Sequence, residues 1–505
     1  MIDIKAIISA ISGRKKTSSE STESATMLVK NLPNAEYYTA LVEIIKAVAK
    51  INKDANVTLK DRISTLLYVD TRAVDMHRKL CKEFLIGASR SKSFLPSILA
   101  YWTELSNGYQ LCLRQFQSGK SPQVDALIER VAIRALHHQL SLIKWSALRY
   151  ISADGNTWQQ AYRLYSFAEQ YGFHSKAITM YEEQAESTTA EQLLIQAAML
   201  HLAQTDNLLT IEIEAIHLLL ARLSEGIRLQ TSASNSDFQY VINLDLPAPP
   251  QLLRRGTLGK GCRYWSGDFV VNRLADLILD FDQGIPEGFR QALPAMDTPT
   301  WRNLLQKLSA RWSQDGGKSM RQHERLSYSG HARVEIGFEK IAHHLKVNRG
   351  SLQQEEVTDE WRVNDASEAG FGLTYLGRAV ESLMIGRTIW VSSRDYPGQL
   401  CVIRRVQRLV EGGTRVGVEV LGSLPLPVAL SEPGLDSAGN SSGLYITQTN
   451  AKKGQRVFLI PKRLADNGKE LTFAANGKSY QIRVLQTSAV FEDCQQVEFE
   501  TLERL

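Results

Sequence analysis

Two short motifs in this 505-residue chain have residue types suited to holding a ligand. "MRQHER" places Arg321 and Arg325 in an R-x-x-x-R spacing. Further on, "RVNDASEAGFGL" contains Asp365-Ala366-Ser367-Glu368-Ala369-Gly370, a D-x-S-x-x-G. An arginine fork pairs bidentately with phosphate oxygens, and its flat face stacks on planar rings. Asp, Ser and Gly, however, are what any surface turn recruits, so the second motif alone could be a bland strand connector. R-x-x-x-R also arises often by chance. The order of the two, and the strands that follow, make the combination specific.

Other candidates fail on geometry. "SQDGGKS" (313–319) looks like a phosphate loop, but Trp312 stands where the first glycine is needed and no strand leads in. It reads as a hinge between domains. The adjacent pairs His137/His138 and His343/His344 cannot share a metal. Helical neighbours point about 100° apart and strand neighbours to opposite faces. The five cysteines (81, 112, 262, 401, 494) have no CxxC spacing, so neither a zinc site nor a disulfide framework is implied. No Ser-His-Asp, Cys-His or paired-Glu arrangement stands out. The expectation is a non-enzyme, with no catalytic residue, metal or cofactor.

Together with the segments "GRTIWV" and "RVGVEVLG", the two motifs resemble the PilZ domain, the small β-barrel that binds the bacterial second messenger cyclic di-GMP. The resemblance spans Arg321 to Gly422, about a fifth of the chain. It implies Arg321, Arg325, Asp365, Ser367 and Gly370 as ligand-binding residues, with Gln322, Arg362 and Asn364 as further candidates. The chemistry is consistent with that ligand. Arginine suits phosphate oxygens and the guanine O6/N7 edge. A carboxylate can accept from guanine N1–H and N2–H, a face that adenine does not offer. Ser367 adds a hydroxyl, and Gly370 is expected to supply a positive φ and close backbone approach. Two features depart from the family pattern. The gap from Arg325 to Asp365 is long, with "KVNRGSLQQEEVTDE" reading as an inserted loop, and Met320 stands where a second arginine is common. Between 321 and 422 there are twelve arginines, two lysines and thirteen acids, so net Coulomb attraction is not what the arginines serve. Planar recognition and Arg–Glu pairing on strands both remain open as explanations.

The elements that must position these residues give a multidomain α + β fold. Residues 1–33 read as a short helix followed by a polar linker, Ser12 to Thr26. Residues 34–229 carry helical apolar stripes, such as Leu41, Ile44, Ile45 and Val48, and read as an all-α scaffold, solenoid-like. In "NTWQQAYRLYSFAEQYG", Asn156 or Thr157 can cap a helix that Gly172 ends. Its Trp158, Ala161 and Tyr165 partly resemble a tetratricopeptide repeat, although no 34-residue period follows. Residues 230–318 form a mixed connecting segment and hinge. Residues 319–425 form the PilZ-like six-stranded barrel, with "HARVEIGFEKI", "RTIWVSS", "LCVIRRVQRLV" and "TRVGVEVL" as strands. Residues 426–505 form a second small β domain. "GRTIWV" echoes "GQRVFL", and "CVIRRVQRL" up to "GVEVLG" echoes "YQIRVLQTS" up to "VEFETL", so a degenerate duplicate is the economical account.

Composition bounds the rest. With 43% hydrophobic and 22% charged residues the chain reads as globular, and a net charge of +5 gives no case for a nucleic-acid binder. No run approaches the roughly 18 apolar residues of a membrane span. The basic cluster Arg14-Lys15-Lys16 follows the apolar stretch, the reverse of a secretory signal, so a bacterial cytoplasm is expected. The resulting expectation is a cyclic di-GMP receptor that relays its ligand through the helical half to a protein partner, with the 313–319 hinge ordered by the ligand. A nucleotide-independent scaffold with degenerate barrels is the alternative.

Overall fold

The computed structural model describes residues 20–30, 36–86, 91–119, 122–182, 187–233, 238–254, 259–313, 326–347, 360–377, 383–393, 398–432, 441–449, 454–475 and 478–504. Arg321, Gln322 and Arg325, most of the hinge, and the inserted loop from 348 to 359 lie outside these residues. The chain forms two compact units: 1–148, 153–203 and 210–318 in one, and 149–152, 204–209 and 319–505 in the other.

The first unit is helical. Its helices are α1 (Glu20–Lys30), α2 (Tyr37–Lys53), α3 (Leu59–Ile86), α4 (Leu95–Ser118), α5 (Asp125–Leu148), α6 (Gly155–Gln170), α7 (Ala190–Leu202), α8 (Thr210–Leu223), α9 (Asp268–Gln283), α10 (Glu287–Ala292) and α11 (Thr298–Trp312). Two strand pairings interrupt them. The first joins β1 (Ile178–Thr179) to β2 (Ser187–Thr188), and the second is the sheet of β3 (Tyr240–Asn243), β4 (Gln251–Leu252) and β5 (Cys262–Trp265). The linker expected up to Thr26 is corrected: α1 occupies residues from 20 onward. Its polar residues tolerate burial because Ser21 Oγ donates to Asp54 at 2.7 Å. In α6 the cap is Asp154, not Asn156 or Thr157; its carboxylate accepts from the Thr157 amide at 2.6 Å. Gly172 closes the same helix at φ +75°.

A buried polar cluster joins α3, α4 and α5. Asp70 accepts from Tyr101 (2.8 Å), Tyr109 (2.8 Å), Arg134 (3.1 Å) and His138 (3.1 Å). Burial works to raise the Asp70 pKa, but His138 and Arg134 hold it far below the carboxylate range. Beside it, His77 is fully buried, stacks on Tyr101 with ring centres 4.0 Å apart, and donates from Nε2 to the Ile98 carbonyl at 3.2 Å.

The second unit is a pair of closed barrels that share one strand. Its strands are β6 (Leu326–Ile336), β7 (Trp361–Ser367), β8 (Gly370–Tyr375), β9 (Thr388–Ser393), β10 (Gln399–Arg408), β11 (Thr414–Ser431), β12 (Ser441–Gln448), β13 (Arg456–Ile460), β14 (Glu470–Ala475), β15 (Lys478–Val490) and β16 (Gln495–Arg504). One ring runs β6-β7-β8-β11-β10-β9 and the other β11-β12-β13-β16-β15-β14, all antiparallel. In each ring the chain visits its positions in the order first, second, third, sixth, fifth, fourth. The second is therefore a topological repeat of the first. The echo of "CVIRRVQRL…GVEVLG" matches this repeat, since β10 and β15 are fifth strands and β11 and β16 are sixth strands. The echo of "GRTIWV" does not: β9 is a fourth strand and β13 a third. A short apolar run marks a strand without marking its place in a ring. β11 continues unbroken past 425, where the sequence alone suggested a boundary. Pro425 fits at the irregularity between Ser423 and Leu426, where it has no partner in register, and Pro427 pairs with Leu444 of β12 alone, beyond the last β10 contact at Ser423 and before β14 at Leu430. Proline is tolerated where a strand is irregular or lacks a partner on one side.

The end of "HARVEIGFEKI" is also corrected, from strand to helix: β6 stops at Ile336 and α12 spans Phe338–Val347. Gly337, at φ +102°, turns the chain out of β6. Phe338, Ile341 and Ala342 then pack against Trp390, Leu400, Val402, Leu421, Leu444 and Leu459. Asp493, in the β15–β16 turn, accepts from the Phe338 amide at 2.8 Å, from Thr388 Oγ1 at 2.8 Å and from the Thr388 amide at 3.2 Å. One carboxylate of the second barrel thus caps α12 and fixes the start of β9.

Asp493→Ala should lower the stability of the barrel unit by about 1–3 kcal/mol, read from denaturant midpoints. In the helical unit, burial pushes the His77 pKa down to about 3. An unfolded histidine takes its proton near pH ~6.5, so between there and about 3 the unfolded state binds more protons. Stability should therefore be highest above pH ~6.5 and fall with acidification, and His77→Gln should flatten that slope.

Candidate functional site

The β7–β8 hairpin carries the D-x-S-x-x-G motif on the first barrel. Trp361, Val363 and Ala366 of β7 are buried, so the residues between them face out. A bulge between Val363 and Asp365 lets Asn364 and Asp365 both lie outward. The turn is two residues, Glu368 and Ala369, neither with positive φ. Ser367 Oγ donates to the Gly370 carbonyl at 3.2 Å, and the Val420 amide donates to the Ala369 carbonyl at 2.9 Å, which latches the tip to β11.

The glycines work differently from expectation. Gly370 has no positive φ. A Cβ there would sit 1.9 Å from the Val418 carbonyl oxygen, so glycine is needed for β8 to lie close to β11. At Gly372 a Cβ would meet the Asp365 carboxylate at 2.5 Å; the carboxylate therefore lies across the bare strand. Gly372 is in register with Gly417, and Gly370 with Glu419. Gly370, Gly372 and Gly417 thus pave a floor with no side chains, bounded by Asp365 on β7 and by Arg404 and Arg405 on β10. Arg404 is held by Glu419 at 2.7 Å, and Arg405 by Asp206 at 2.5 Å.

Of the residues named from sequence, the structure brings Asp365, Ser367 and Gly370 together on this face, with Asn364 and Arg362 beside them. Asn364 donates to Thr374 Oγ1 at 2.8 Å. Arg362 is exposed and in register with Thr374. Arg321, Gln322 and Arg325 lie outside the described residues, but Leu326 and Ser327, which follow them, pair with Ala366 and Asp365. The chain therefore enters β6 alongside the motif. Gly372 and Gly417 of this floor were missed by sequence reasoning. A glycine inside "TRVGVEVL" was the available signal, since glycine in a strand marks a close approach.

The same strand positions of the second barrel are different. Leu444 and Ile446 on β12 and Val457 and Leu459 on β13 turn away from that barrel's own core and are buried against Phe338, Ile341 and Trp390. An open cleft of about 490 Å³ lies between β6 and α12, lined by Arg333, Glu335, Glu339, Lys340, His343 and His344. His138 is a buried partner of Asp70, and His344 packs with its ring centre 6.4 Å from that of Trp390. Among the described residues no group of His, Cys, Asp or Glu could hold a metal, and no helix is long and apolar enough to cross a membrane.

Residues 23–234, less than half the chain, match the family described as "Cyclic-di-GMP receptor FimW, N-terminal domain". The match falls on the helical half. No curated protein and no solved structure matches the chain.

Gly370→Ala should destabilise the first barrel by about 1–3 kcal/mol, because β8 cannot retreat from the Val418 carbonyl without breaking its ladder. Thermal unfolding would show a lower midpoint; an unchanged midpoint would mean that the strands part freely.

Proposed function

We propose that this protein is a cyclic di-GMP receptor and that its first barrel is PilZ-like. The observation that carries the reading is the outward Asp365 carboxylate over a glycine floor, beside the place where the Arg321–Arg325 segment leads into β6. Two lines support it independently. The helical half matches the N-terminal domain of a family described as a cyclic-di-GMP receptor, and the sequence of the C-terminal half carries both motifs. Arg321 and Arg325 contact phosphates or guanine O6/N7, Asp365 accepts from guanine N1–H and N2–H, and Ser367 holds the hairpin. The bare floor lets a flat purine approach the backbone. The helical half passes the bound state to a protein partner, in the bacterial cytoplasm. The second barrel takes no ligand at the corresponding strands, because apolar packing fills them.

Calorimetric titration with cyclic di-GMP should give one class of site. Each charge-assisted arginine contact is worth about 1.5–3 kcal/mol, so Arg321→Ala/Arg325→Ala should weaken binding by at least about a hundredfold. Equal affinity in that variant would move the site elsewhere. Absence of heat with the unaltered protein would favour the nucleotide-independent scaffold.

A further inference from the structure

The outer face of the first barrel carries a cationic row that the two motifs do not include. Arg362 on β7, Thr374 on β8 and Arg415 on β11 are consecutive partners in register. Buried neighbours fix their direction: Trp361 and Val363 flank Arg362, and Thr414 and Val416 flank Arg415. Both arginines are exposed, and no carboxylate lies within ion-pair distance of either among the described residues. That contrasts with their neighbours Arg404 and Arg405, each held by an acid at 2.7 and 2.5 Å. Strands lie about 4.8 Å apart, so the two guanidinium stems stand about 10 Å apart, with a hydroxyl between them. Asn364 Nδ2 donates to Thr374 Oγ1 at 2.8 Å, which occupies an acceptor position and leaves the Thr374 proton to be donated outward. Two cations and one outward hydroxyl, with neither cation held in an ion pair among the described residues, form a receptor for an anion with several oxygens.

We propose that Arg362, Thr374 and Arg415 clasp a phosphodiester group of the ligand lying on the glycine floor. The clasp rests on the receptor reading above and adds a contact outside both motifs. Arg362 and Arg415 supply bidentate forks from opposite sides, and Asn364 is a positioning residue acting through Thr374. Because these side chains are exposed, their replacement leaves the barrel core intact.

The test is titration of the full chain with cyclic di-GMP, comparing the unaltered protein, Arg321→Ala/Arg325→Ala and Arg362→Gln/Arg415→Gln, with thermal midpoints measured for all three. The expected result is at least tenfold weaker binding in Arg362→Gln/Arg415→Gln at an unchanged midpoint. Unchanged affinity in that variant, alongside a loss in Arg321→Ala/Arg325→Ala, would overturn the clasp and leave the receptor reading standing. No binding by the unaltered protein would overturn both.

Discussion

One strand belongs to two closed rings, and the barrel unit follows from that constraint. β11 is 18 residues long, and its first half is the sixth strand of one barrel while its second half is the first strand of the next. Neither ring can slip in register without shifting the other, because a one-residue slip would turn every side chain of β11 to the wrong face. The prolines at 425 and 427 mark the handover, where the strand has a partner on one side only. Asp493 reinforces the coupling from the second barrel by capping α12 and holding Thr388.

That coupling also decides which face is left for chemistry. On the first barrel, α12 and the second barrel cover the outer sides of β9 and β10 with Trp390, Leu400 and Val402. Among the described residues no apolar packing of that kind covers β7, β8 and the first half of β11. There the outward positions are small or polar: Asp365, Gly370, Gly372, Thr374 and Gly417. On the second barrel the outward positions of β12 and β13 are leucine, isoleucine and valine, and they are buried. Repetition of a topology has thus yielded one polar face and one packed face.

Much of this was legible in the sequence. The D-x-S-x-x-G motif sits on a hairpin, the helical half is helical, and most C-terminal strands lie where β-branched runs placed them. What failed did so for physical reasons. "GFEKIAHHLK" has a helical stripe, but its N-terminal cap comes from Asp493, which is 155 residues away from Phe338 and invisible to local reading. β14, "ELTFAA", has too few β-branched residues to stand out. The role of Gly370 was misjudged because a glycine needed for a neighbouring carbonyl looks the same in sequence as one needed for positive φ. The Arg362–Thr374–Arg415 row joins residues on three strands, and only the register brings them together.

The central claim is that cyclic di-GMP lies on the outer face of the first barrel, over the β7–β8 hairpin. Hydrogen–deuterium exchange of the full chain, with and without saturating cyclic di-GMP, tests it most directly. The account predicts slower exchange across residues 321–327 and 365–372, with no change in β12 and β13. Protection confined to the helical unit or to β12–β13, with the β7–β8 hairpin unaffected, would contradict it.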